Sequence, residues 1–147
     1  MISIRRIEER DRNKNFETGN SHFDYDHQGN KLDLGFYIDR DISQRFESYV
    51  LEENNNIIGL LSIQKRADHL YLSRIGIQKN MKGKGFGSML LEYAVKLAAE
   101  YGYDGILAEA NSEGIPFLEN LGFAKINEYE DVHWGKSAIM ELRFYKD

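Results

Sequence analysis

Residues 81–88, MKGKGFGS, carry the most specific chemistry in the chain. Gly83, Gly85 and Gly87 alternate with Lys84 and Phe86, directly after an apolar run and at the opening of an amphipathic one. Glycine accepts positive φ and lets a ligand approach the backbone closely. The first amides of a helix have no partner within it, and the helix dipole adds partial positive charge there. Together these make an anion site whose usual guest is phosphate. Lys82 and Lys84 add formal charge beside it, and Ser88 sits in the first helical turn. One glycine would suffice for a strand-to-helix turn, so three point to a bound phosphate. No Gly-Lys-Ser/Thr closes the loop, which argues against a P-loop NTPase. Ser88 stands where a dinucleotide fingerprint needs its third glycine, which argues against that fold too.

The loop needs a strand before it and a helix after it, and the flanking periodicities supply both. Residues 69–78 (HLYLSRIGIQ) read as a strand. Phe86, Met89, Leu90, Tyr93, Ala94, Leu97, Ala98 and Tyr101 recur at helical spacing, with Glu92, Lys96 and Glu100 opposite and Gly102 as the stop. Residues 46–52 and 57–65, split by Asn54-Asn55-Asn56, form a hairpin that continues into the 69–78 strand as a meander. Residues 1–7 alternate as a first strand, and residues 13–41 read as loop and short helix. Residues 106–108 make a buried strand, parallel to 69–78 across the helix. Asn111 or Ser112 caps a helix that reaches Leu121, and residues 123–129 and 137–145 form a final strand pair. The expected class is α/β, of the mixed α+β kind.

The segment Lys82-Gly83-Lys84-Gly85-Phe86-Gly87 resembles the acetyl-CoA pyrophosphate loop of the GNAT N-acetyltransferases, Gln/Arg-x-x-Gly-x-Gly/Ala. Ile75-Gly76-Ile77 is similar to that family's fourth strand, and Asn111 with residues 115–123 (IPFLENLGF) is similar to its block after the fifth strand. The resemblance implies one domain over residues 1–147. Its mixed, mostly antiparallel sheet would have about seven strands and about four helices, with the parallel strands four and five splayed. It implies an N-acetyltransferase that uses acetyl-CoA and no metal. Amides of Gly83, Lys84, Gly85, Phe86, Gly87 and Ser88 would hold the pyrophosphate. Backbone groups at Ile75, Gly76 and Ile77 would pair with the pantetheine arm and polarise the thioester. Asn111 would also touch the coenzyme. The position that often holds a proton-donating Tyr is Leu118.

Three residues are candidates for the proton transfer from the attacking amine. Tyr71 and Ser73, two apart on the fourth strand, should share a face, with Arg74 on the other. Glu109 shares a face of the fifth strand with Asn111 and offers a carboxylate near the expected cleft. For the proton that the coenzyme thiolate needs in place of one from Leu118, Tyr129 on the sixth strand is a candidate beside solvent. His22 and His27 flank Asp24 and Asp26, in a stretch that reads as a polar loop rather than a metal site.

Composition bounds the partners. The chain has 147 residues, net charge −5 and no cysteine. A disulfide framework, a thiolate zinc site and a cysteine nucleophile are therefore excluded. No apolar run reaches the ~20 residues of a membrane span and no signal peptide opens the chain, so a cytoplasmic protein is expected. The acidic balance speaks against nucleic acid as partner. Asp24, Asp26, Asp33, Asp39 and Asp41, with Glu128, Glu130 and Asp131, suggest an acidic rim that draws a small cationic amine, though a protein or peptide amine also fits. Two other readings compete. Leu118 suits a non-catalytic acyl-CoA sensor. Phe16-Glu-Thr-Gly-Asn20 with Phe23-Asp24 is similar to GNAT toxins that acetylate aminoacyl-tRNA. A homodimer through the final strand pair is plausible.

Overall fold

The computed structural model describes residues 1–144. Its strands are β1 (Ile2–Arg6), β2 (Glu47–Glu53), β3 (Asn56–Lys65), β4 (Leu70–Ile77), β5 (Gly105–Asn111), β6 (Ala124–Asp131) and β7 (Gly135–Arg143). They form one sheet in the order β1-β2-β3-β4-β5-β7-β6. Every pairing is antiparallel except β4 with β5. The helices are α1 (Ser21–Asp24), α2 (Leu34–Gln44), α3 (Phe86–Glu100) and α4 (Gly114–Asn120). The expected meander and β4–α3–β5 unit are present. Tyr145, placed in the last strand by the sequence, lies outside the described residues.

Two apolar layers sandwich the sheet. Leu90, Leu91, Ala94, Leu97 and Ala98 of α3 and Ile115 and Leu118 of α4 bury against Leu72, Ile75, Ile106 and Ala108. On the opposite face Leu34 and Tyr37 of α2 bury against Val50, Ile57 and Leu60. The helical stripe of α3 turns toward Leu91, so Met89 and Tyr101, expected inside, are exposed. The α2 helix is longer than the short helix expected for residues 13–41. Its polar residues hid a spacing that buries Leu34, Tyr37 and Ile38. The Asp33 carboxylate accepts from Phe36 N and caps it. Near the first strand, Arg5 forks between Asp11 and Glu52 and Lys14 adds a third cation contact, tying the N-terminal segment to β2.

Two irregularities in β4 shape the centre of the sheet. The pairing of β4 with β5 covers only Leu70↔Ile106, Tyr71↔Leu107 and Leu72↔Ala108. Both strands continue past this point, so residues 73–77 and 109–111 diverge without facing one another. On its other side, β4 pairs Leu72 with Ile63 and Arg74 with Ser62, which leaves Ser73 as a bulge. No helix among the described residues is long and apolar enough to cross a membrane.

Candidate active site

The divergence of β4 and β5 opens a cavity of about 410 Å³ that runs through the sheet. One end lies at the start of α3. Gly83 and Gly85 have φ of +78° and +85°, and a Cβ on either would meet no atom within 4 Å. Only glycine takes these angles without strain, and the space before them is open. Gly85 is the N-cap of α3, no side chain caps the helix, and its first turn holds no acid. Lys82, Gly83, Gly85, Phe86 and Gly87 line the cavity, while Lys84 and Ser88 stand outside its lining. The residues therefore fit a phosphate: uncapped amides, a vacant approach and lysines on both sides of Gly83.

The middle of the cavity is walled by Ile75, Gly76 and Ile77 on β4 and by Ala108 and Asn111 on β5, with Leu118 and Phe117 of α4 behind. Beyond Leu72 the β4 edge toward β5 has no strand beside it, so an extended chain can add there. Asn111 Oδ1 accepts from the Glu113 and Gly114 amides at 3.1 Å each. The N-cap of α4 is Glu113 rather than the expected Asn111 or Ser112, and Asn111 closes the turn that leads into the helix. Leu118 is buried and offers only carbon to the cavity.

The other end opens on the α1–α2 side, past Thr18, Asn20, Phe23, Arg74 and Glu109. Asp24 is buried and accepts from Thr18 N, Thr18 Oγ1 and Gly19 N at 2.9–3.0 Å, which folds residues 16–24 into a compact wall. Gly76 lets that wall close: a Cβ there would lie 2.6 Å from the Phe23 ring. Glu109 accepts from the Tyr129 hydroxyl at 2.5 Å. Burial and this bond to a carboxylate push Tyr129 up to about 12, so it keeps its proton and acts as a donor. The sequence could not place Tyr129, because β7 must first insert between β5 and β6.

The bulge corrects the expected facing of β4. Ser73 takes up the extra residue, and Arg74 rather than Ser73 follows Tyr71 onto the α2 side, with its guanidinium 6.0 Å from the Phe23 ring. The signal was present in the sequence. The apolar phase Leu70, Leu72 jumps to Ile75, Ile77, an odd step that alternation forbids without a bulge. Tyr71 does not line the cavity; the Arg66 guanidinium stacks on its ring at 3.8 Å. Burial, then the Glu109 charge, push the Tyr71 hydroxyl up, so it stays protonated.

None of the eight acids expected at a rim lines the cavity, and seven of them have partners in local structure. Asp24 is buried among its donors, Asp33 caps α2, Asp39 pairs with Arg12, and Asp41 accepts from Ser48. Asp26 closes its own turn, Glu128 pairs with Lys125, and Asp131 accepts from the His133 and Trp134 amides. These carboxylates serve local structure rather than lining the cavity.

The pattern of the acetyltransferase (GNAT) family matches residues 4–123. The chain belongs to that family. It is 23% identical over 107 residues to the uncharacterized N-acetyltransferase YjcF of Bacillus subtilis, covering 73% of this chain and 74% of that one. Among solved structures, Ard1 from Thermoplasma volcanium superposes with a TM-score of 0.75 at 13% identity, over 99% of both chains. A Bacillus anthracis acetyltransferase in complex with acetyl coenzyme A gives 0.73 at 20% identity, also over 99% of both. The ribosomal-protein-S18-alanine N-acetyltransferase of Escherichia coli gives 0.70 at 19%, over 100% of this chain and 96% of that one. At these identities the structures share the GNAT fold, and family membership makes the chain an N-acetyltransferase. Among the described residues no group of His, Cys, Asp and Glu is arranged to hold a metal ion.

Proposed function

We propose that this GNAT chain, acting as one domain, moves the acetyl group of acetyl-CoA to a primary amine by direct attack in a ternary complex. The observation that carries this is a single cavity with two unlike ends joined through the splayed strands. The α3 end supplies amides at Gly83, Gly85, Phe86, Gly87 and Ser88 for the pyrophosphate, with Lys82 and Lys84 for added charge. The β4 edge at Ile75, Gly76 and Ile77 would receive the pantetheine arm as an added strand, and an N–H there would hold the thioester oxygen as it becomes an oxyanion. The acceptor amine then comes from the α1–α2 end. The B. anthracis relative, with acetyl coenzyme A bound to the same fold, supports the coenzyme assignment.

In this reading Glu109 is the base, held by Tyr129 and reaching the amine directly or through one water. Ser73, in the bulge on the cavity wall, orients that water. The neutral amine forms the C–N bond, its proton passes to Glu109, and the C–S bond breaks. Leu118 holds no proton, so the thiolate takes one from water.

A panel of primary amines incubated with acetyl-CoA, followed by thiol release and product mass, tests the proposal. Thiol release that depends on an amine supports it. Leu118 favours one other reading, a coenzyme-binding sensor: tight acetyl-CoA binding with no thiol release for any amine would establish that instead. Acetylation confined to aminoacyl-tRNA would establish the toxin-like reading.

A further inference from the structure

On its β4 side, the α1–α2 end of the cavity holds positive charge that is in no ion pair among the described residues. Arg74 lines it, and its Nε is buried without a hydrogen-bond partner, while Nη1 reaches only the Ser73 carbonyl at 3.2 Å. Behind it, Arg40 of α2 lies 3.8 Å from the Phe46 ring centre and donates from Nη2 to Ser62 Oγ at 2.8 Å, and its Nε is also buried and unpartnered. Among the described residues neither guanidinium has a carboxylate within ion-pair distance. The nearby acids are engaged elsewhere, Asp24 with Thr18 and Gly19, and Asp41 with Ser48. Burial, then the charge of Arg74, pull Arg40 below its ordinary range, so the two cations feel one another. Two guanidinium groups that repel each other under aromatic cover are destabilising unless an anion completes them.

Resting on the acetyl-transfer reading above, we propose that the acceptor is an amine that also carries a carboxylate, and that Arg74, backed by Arg40, receives the carboxylate. The guanidinium fork matches a carboxylate in two parallel hydrogen bonds, and the unpartnered donors of Arg74 supply them. Glu109, on the opposite arm of the same cavity, lies at the amine end. The cavity is thus bipolar, acidic on β5 and basic on β4, and a zwitterion such as an amino acid satisfies both poles. A polycation satisfies only one.

The test compares matched acceptors: amino acids, their carboxamides, and the amines left after decarboxylation. The wild type should prefer the carboxylate over both by roughly 10- to 100-fold in kcat/KM, the range for a hydrogen bond to a charged group. In Arg74→Gln the preference should collapse toward one, with the change mainly in KM. Arg74→Lys should retain part of it. Calorimetry with an N-acetylated amino acid and CoA supplies a readout free of turnover: binding to the wild type, lost in Arg74→Gln while acetyl-CoA still binds. No turnover with any amine would remove the acetyl-transfer reading, and the carboxylate binding would still decide this one. Equal use of amine and amino acid, or a preference that survives Arg74→Gln, would overturn the proposal. So would a preference for phosphorylated amines over carboxylates. If Arg74→Gln does not fold, the wild-type comparison and Arg74→Lys decide.

Discussion

Replacing Gly85 separates a phosphate site from a mere turn. At φ +85° an L-residue in the left-handed region costs about 1–2 kcal/mol. A Cβ there meets no atom within 4 Å, so no packing loss adds to it. For a domain of this size, melting should fall by roughly 2–8 °C. The effect on coenzyme is predicted to be larger. In Gly85→Ala the methyl group stands where the pyrophosphate approaches the amides, and losing one charge-assisted bond weakens binding roughly 10- to 100-fold. In Gly85→Glu a carboxylate about 4 Å from a phosphate at an effective dielectric of about 20 adds repulsion of about 4 kcal/mol, a further factor near a thousand. Gly29 is the matched control. It also has φ +85° and open space around its Cβ, but sits in the turn between α1 and α2. Gly29→Glu should therefore lose similar stability and leave affinity unchanged. The assay is calorimetric titration with acetyl-CoA beside thermal unfolding of all variants. An affinity for Gly85→Glu within about threefold of wild type would refute a phosphate on this loop. So would an equal loss in Gly29→Glu.

Three further outcomes follow from the same geometry. Glu109→Gln should lower kcat about 100-fold with acetyl-CoA affinity unchanged, and Tyr129→Phe should lower it less, both read by thiol release. Gly76→Ala should destabilise by about 1–3 kcal/mol, because its methyl group meets the Phe23 ring, and Phe23→Leu in the same chain should restore part of the loss in denaturant titration. Burial pushes the Asp11 carboxyl up, but bonds from Arg5, the Glu8 amide and Lys14 outweigh it and hold the group well below its ordinary 3.8. Its stabilisation is complete above that value and is lost as pH falls below it, so Asp11→Asn should flatten the acid limb of the stability curve.

Local pattern determined much of this protein. The alternating glycines, the 3.6-residue period after them and the short turns between apolar runs fixed β2 to α3, because each depends on neighbours within a few residues. Leu118, as the residue without a proton, was legible for the same reason. Side-chain partners were not. Residues 13–41 looked like an acidic rim, yet their carboxylates turned out to be caps, turns and an ion pair: most bond to near neighbours whose backbone conformation composition does not show, and Asp39 pairs with the distant Arg12. The bulge at Ser73 was written in the phase of Leu70, Leu72, Ile75 and Ile77, but it takes the β3 register to show which residue is expelled and that Arg74 turns inward. Tyr129 meets Glu109 only because β7 inserts between β5 and β6. The sequence determined which end of the cavity suits phosphate, since backbone conformation and charge are local there. Tertiary structure alone decided what the other end presents, since Arg40, Arg74 and Glu109 come from separate elements and meet only when the sheet is assembled.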